Sequence, residues 1–187
     1  VFRWVENLLS RLAPGGLLLI VEPALHTCAE RIERLRDDLA AGGRARILGP
    51  CLHAAPCPLL KKGEVWCHEV RRWTPPDSLL RLNRRLAHQV QFLKFCFLAL
   101  TPPGPAPAAP GTRDTGRLVA PFHELKGRLA TWSCAADGAL YPCEIQTRHL
   151  TRNRIKELMH LERGERVHWR DARVIGDPPT LRAEELG

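Results

Sequence analysis

Seven cysteines occur in this 187-residue chain, and four of them form its most chemically suggestive pattern. Cys51, Cys57 and Cys67 follow one another as C-x5-C-x9-C, and Cys134 stands alone later in W-S-C-A-A-D-G. Thiolates are soft ligands that suit zinc or iron–sulfur centres. Structural zinc sites usually draw ligands from close pairs such as C-x2–4-C, and no pair here has that spacing. Four thiolates with wide gaps suit an iron–sulfur cluster better; zinc, or no metal at all, stays open as the alternative. His53 and His68 are alternative ligands or donors behind the thiols. Cys28 and Cys96 fall on apolar stretches and read as small buried hydrophobes. Cys143 reads equally as an alternate ligand or a packing residue. Cys67 and His68 are adjacent in sequence, which does not give the geometry of a catalytic dyad.

Positive charge is the second candidate chemistry. Lys61, Lys62, Arg71 and Arg72 flank the cysteines, and Arg81, Arg84, Arg85 and His88 follow at helical spacing. Such a stripe can neutralise phosphates; its plain alternative is a solvated helix face. Arg148, Arg152, Arg154 and Lys156 add a later basic group. Glu22 is the third candidate. It closes P14-G-G-L-L-L-I-V-E-P23, a Pro-Gly-Gly turn and apolar strand of a kind common in S-adenosylmethionine-binding sheets. Ligands of open α/β sheets sit at the carboxyl ends of strands, so Glu22 is expected at a cofactor crevice, with a solvent-facing strand end as the alternative.

The elements that must position these residues follow from periodicity. Residues 2–12 place Trp4, Leu8, Leu9 and Leu12 on one helical face. The run 17–21 predicts a buried strand, 28–39 a helix with Ile32, Leu35 and Leu39 inward, and 44–48 a further strand. Helix, strand, helix, strand is the rhythm of an open parallel α/β sheet. The cysteine-rich segment 50–73 is too rich in proline for a regular element. A helix is expected over 78–89, with Leu79, Leu82 and Leu86 inward, and a buried strand over 92–100. Residues 101–115 read as a Pro/Ala linker or loop. Beyond them, 116–176 predicts a small β-rich extension, barrel-like or resembling an oligonucleotide-binding sheet, with D137-G as a hairpin turn. The tail 177–187 is expected to be polar and loose.

Composition narrows the class. The hydrophobic share is 44% and the charged share 26%, the balance of a water-soluble fold, and no apolar run approaches the ~20 residues of a membrane span. The net charge of +8 rises at and after the cysteines, which favours a polyanionic partner there. An odd cysteine count argues against a disulfide scaffold and for a reducing compartment. The chain opens on Val1 and has one methionine, Met159, so it reads as a piece of a longer protein.

The motifs C51-L-H-A-A-P-C-P-L, V65-W-C-H-E-V-R-R and L12-A-P-G-G-L-L-L-I-V-E-P, followed by R117-L-V-A-P, K126-G-R-L and C134-A-A-D-G-A-L, resemble a methyltransferase-like family. That family is associated with the small ribosomal subunit of bacteria and mitochondria. The resemblance implies the C-terminal part of a class I methyltransferase-like α/β sheet over 1–100, carrying a cysteine-rich metallocofactor insertion and the β-rich extension. It implies a 4Fe–4S cluster on Cys51, Cys57, Cys67 and Cys134, with zinc the runner-up metal. It implies an assembly factor that binds the small ribosomal subunit and its RNA and supports translation. The location would be mitochondrial matrix in a eukaryote and cytoplasm in a bacterium. An active S-adenosylmethionine-dependent ribosomal RNA methyltransferase, with S-adenosylmethionine bound by the full-length protein, and a zinc-binding structural RNA module are the alternatives. The chain departs from the family at Glu69-Val70, where an aromatic is more typical, and in the long gap that holds K61-K-G-E-V.

Overall fold

The computed structural model describes residues 2–63, 65–86, 90–104 and 111–187. His88 and residues 105–110 of the Pro/Ala segment lie outside the described residues.

The first half is an α/β layer. Strand β4 (Phe92–Thr101) is its axis. Strand β1 (Leu18–Pro23) pairs along one side of β4, from Leu18 opposite Leu100 to Pro23 opposite Phe95. Strands β2 (Arg46–Gly49) and β3 (Glu69–Arg72) share the other side, one at each end. All three run antiparallel to β4. The expected parallel sheet is therefore antiparallel at each described pairing: β1 and β2 point the same way, but β4 lies between them in reverse. An α/β domain is consistent with a methyltransferase-like fold.

Helices α1 (Phe2–Ser10) and α2 (His26–Ala41) cover one face of the sheet. Ala29, Ile32, Leu35 and Leu39 of α2 recur at helical spacing and pack with Val5 and Leu9 against Cys96, Leu98 and Leu100 of β4. Gly42 and Gly43 then end α2; Gly43 takes φ +59°, and the Arg44 amide returns to the Leu39 carbonyl at 3.0 Å. Two expectations fail here. Trp4 is exposed, and Val5 takes its place inside. The run 17–21 is buried on one face only, leaving Leu17, Leu19 and Val21 exposed beside Leu48. Period-two geometry sends alternate side chains to opposite faces, and among the described residues no helix covers the second face. The basic helix is also shorter than expected: α3 spans Asp77–Asn83, and Leu82 and Leu86 are exposed.

The second half is one eight-stranded sheet. Its strands are β5 (Thr115–Leu118), β6 (His123–Leu125), β7 (Arg128–Ala135), β8 (Leu140–Gln146), β9 (Arg166–Arg170), β10 (Arg173–Ile175), β11 (Thr180–Ala183) and β12 (Glu185–Leu186). The order is β10-β11-β8-β7-β5-β9-β12, with β6 attached to β7. The Asp137-Gly138 turn joins β7 to β8 as a hairpin, with Gly138 at φ +91°. Only Glu184 separates β11, near one end of this order, from β12 at the other. One residue advances the chain by about 3.8 Å, so the two ends must lie side by side and the sheet curls into a barrel-like shape. Helix α4 (Arg152–Met159) adds Leu158 to its core, which centres on Trp169, Ile145, Leu129 and Leu181. The tail is therefore not loose. Leu181, Ala183 and Leu186 are buried, and β11 pairs in parallel with β8.

A candidate metal centre between the two halves

The cysteine segment leaves the end of β2 and is held down by the polar edge of α2. Asp37 accepts the Cys57 backbone N–H at 2.9 and 3.0 Å, and Glu33 accepts that of Cys67 at 2.8 Å. These carboxylates lie one helical turn apart on the same side of α2. Arg36, between them, is 1% exposed. It donates to the His53 and Ala55 carbonyls and pairs with Asp37 at 2.6 Å. Backbone groups that a proline-rich loop cannot satisfy within itself are thus answered by one helix. Burial pushes the Glu33 carboxyl up to about 6, against the opposing pull of the Cys67 N–H.

Cys51, Cys57, Cys67 and Cys134 line one cavity of about 30 Å3, shared with Ala29 and Ile32 of α2 and with Cys96 and Leu98 of β4. Three of the thiols come from the loop; the fourth comes from β7. Leu59, Leu60 and Val65 pack against Val119, Cys134 and Leu140 to close the apolar side. The hairpin turn seals another side, since a Cβ on Gly138 would meet the Ala55 Cβ at 2.7 Å. Burial raises the thiol of Cys51 to about 11 and that of Cys57 to about 12, and raises that of Cys134 as well.

Two guanidinium groups answer this cluster of thiols. Arg117 of β5 is 4% exposed; its Nη1 donates to Cys67 Sγ at 2.7 Å, and its Nη2 pairs with the buried Glu69 carboxylate. Burial opposes the Arg117 charge, but Cys67 and Glu69 more than offset it. Arg36 also lines the cavity, and Cys51 helps to hold its charge. His53 Nε2 is 3.4 Å from Cys134 Sγ, and His68 lies against Arg163 at 2.9 Å. Burial and the neighbouring arginine lower both imidazoles, His68 to about 4.

Among the described residues, no three His, Cys, Asp or Glu side chains are gathered into a cage for a single metal ion. Four soft sulfurs line one cavity, with the buried cations Arg36 and Arg117 beside them. Cys143 takes no part. It lies in the barrel-like core and donates to the Tyr141 carbonyl.

The other expected site residues scatter. Glu22 sits opposite Cys96 at the end of β1 and does not itself line the cavity. Arg71 is half-exposed but engaged, pairing with Glu69 and donating to the Val70 and Arg163 carbonyls. Arg72 covers Phe92, and Lys62 covers Trp132. Lys61, Arg81, Arg84 and Arg85 are exposed.

The family described as mitochondrial small ribosomal subunit Rsm22 matches residues 3–173. The chain belongs to the Rsm22 family. No curated protein matches it. A role in ribosome biogenesis and translation is consistent with Rsm22 membership, and the family description agrees with the mitochondrial location expected of a eukaryotic chain. Among the described residues, no helix is long and apolar enough to cross a membrane.

Sequence reasoning missed Glu33, Arg36, Asp37, Glu69, Arg117 and Arg163. A signal existed for the first three: charges at i, i+3 and i+4 interrupt the apolar face of α2. For Arg117 the only signal is its place in the motif R117-L-V-A-P.

Proposed function

We propose that this chain is an iron–sulfur-binding assembly factor of the mitochondrial small ribosomal subunit, acting as an RNA-binding scaffold. The observation that carries the metal reading is the convergence of Cys51, Cys57, Cys67 and Cys134 on one cavity backed by Arg36 and Arg117. Four thiols drawn from a loop and a distant strand suit a 4Fe–4S cluster; a single zinc ion, which needs every sulfur about 2.3 Å from one point, is the alternative. A bound cluster would supply covalent cross-links from the loop to β7. Around it the protein's own groups divide the work. Glu33 and Asp37 fix the backbone of two ligands, Arg117 and Arg36 offset the thiolate charge, and the apolar cluster of Leu59, Val119 and Leu140 keeps water out. Lys61, Lys62, Arg72, Arg81, Arg84 and Arg85 present positive charge to the RNA; Arg71 is engaged within the protein.

Anaerobically prepared protein is expected to hold about four iron and four sulfide per chain. Near-stoichiometric zinc without iron would reject the cluster. Cys134→Ser is expected to lower iron occupancy, whereas unchanged iron would move the fourth ligand elsewhere. Charge reversal at Arg81, Arg84 and Arg85 should weaken binding to ribosomal RNA and flatten its salt dependence.

A further inference from the structure

The outer face of β7 carries a feature that the function above does not use. Along this strand Leu129, Thr131, Ser133 and Ala135 point into the core, while Arg128, Ala130 and Trp132 point outward. Trp132 is 36% exposed, an unusual position for the largest apolar side chain. Its ring is covered by the Lys62 ammonium at 3.6 Å from the centroid, and Lys62 is itself exposed. Arg128 lies four residues away on the same face, about 13 Å along the strand. Glu144, the carboxylate beside it, is paired with Arg182 at 2.5 Å and with Arg128 at 3.5 Å. The face therefore offers an aromatic plane with cations at both ends and its carboxylate already neutralised.

We propose that Trp132 is a stacking platform for an unpaired base of single-stranded RNA, with Lys62 and Arg128 holding the flanking phosphates. The proposal rests on the RNA-binding reading above. Every base has a π-face, so an exposed indole binds single strands without reading sequence, and cations beside it track the backbone. A base can take the place of Lys62 on the ring because that side chain is long and free to swing onto a phosphate. A duplex keeps its bases stacked internally and has none to offer. The platform is rigid: β7 pairs with β8 from Arg128 to Cys134 and with β5 on its other side. Cys134 stands two residues from Trp132 on the same strand, so the centre proposed above would anchor the platform as well.

The test compares binding of fluorescein-labelled oligouridine and of a blunt RNA duplex of equal length to the full chain, by anisotropy at several salt concentrations. Trp132→Ala and Trp132→Leu are each expected to weaken oligouridine binding about tenfold and leave duplex binding unchanged. Trp132→Phe should bind like the unaltered protein. Lys62→Ala should lower the salt slope by about one. Iron content and thermal melting of each variant separate a lost contact from a lost fold, and Trp132→Leu keeps the bulk if Trp132→Ala does not fold. Wild-type oligouridine binding by Trp132→Leu would overturn the platform and leave RNA binding intact. An equal loss on single strand and duplex would overturn it too. Absence of binding to either RNA by the unaltered protein would reject the RNA-binding reading itself.

Discussion

The two sheets of this protein solve burial differently. The curled sheet of the second half closes on itself around an apolar core, with Trp169 1% exposed at the centre. The four-stranded sheet of the first half packs helices on one face and leaves Leu17, Leu19, Val21 and Leu48 exposed on the other. Both depend on the same physics, the gain of about 25 cal/mol for each Å2 of apolar surface removed from water. A closed sheet collects that gain from its own strands. An open one needs something laid over each face. The cysteine segment sits where the two meet, and its contacts reach both: α2 through Glu33, Arg36 and Asp37, and the extension through Glu69, His68 and the thiols.

If the extension is self-sufficient, its centre is where substitution costs most. Trp169 packs on Phe122 at a ring separation of 6.3 Å and donates from Nε1 toward Ser133 Oγ at 3.4 Å. Trp169→Ala is expected to destabilise the protein by about 4 kcal/mol, read as a shift of the urea unfolding midpoint. A loss below about 1 kcal/mol would mean that the curled sheet does not carry its own stability.

The seam comes next. Arg117 and Glu69 are both buried and paired, so removing one partner leaves the other charge in a low-dielectric place. Arg117→Met is expected to cost about 3 kcal/mol, and iron retention should fall with it. Arg117→Lys keeps the charge but loses the fork that reaches Cys67 and Glu69 together, and should recover only part of the loss. Full stability of Arg117→Met would show that Arg71 alone satisfies Glu69.

Gly164 gives a smaller and cleaner comparison. It takes φ +93°, and a Cβ there would collide with the Glu69 carboxylate, which its two arginines hold in place. Gly127 takes φ +77° with open space around it. Gly127→Ala should therefore cost only the backbone strain of an L-residue in the left-handed region, about 1 kcal/mol. Gly164→Ala adds the steric conflict and should cost about 2 kcal/mol. Equal losses in thermal melting would mean that Glu69 moves aside freely.

How far the sequence revealed this arrangement depends on range. Periodicity placed α2 with Ile32, Leu35 and Leu39 inward, because that pattern is local and Gly42-Gly43 stops it. The D137-G turn announced the β7–β8 hairpin for the same reason. The thiols could be grouped by residue type, yet nothing in C-x5-C-x9-C says that β7 brings Cys134 to the loop; that depends on the fold. Arg71 looks like its neighbour Arg72 in sequence, and only the placement of Glu69 and Arg163 engages it within the protein. Pairing also decided the tail. T-L-R-A is too short and polar to stand out as a strand, but β8 offers it an open edge, and Leu181 and Ala183 alternate into the core. The reversed central strand of the first sheet was equally hidden, since an apolar run does not state its direction.

The smallest expected effect sharpens the contrast between the two faces of that first sheet. Leu98 and Leu19 belong to paired strands and have similar volumes, but Leu98 is fully buried against α2 while Leu19 is 55% exposed. Leu98→Ala removes contacts with the helix layer and should cost about 3 kcal/mol. Leu19→Ser removes a side chain that already meets water, and its expected cost is within about 0.5 kcal/mol. The two melting shifts should therefore differ several-fold, at protein concentrations low enough to suppress association. A large loss for Leu19→Ser under those conditions would mean that the second face is covered in solution. Its exposed row of leucine and valine would then be part of a core, and the first sheet would bury both faces as the curled one buries its interior.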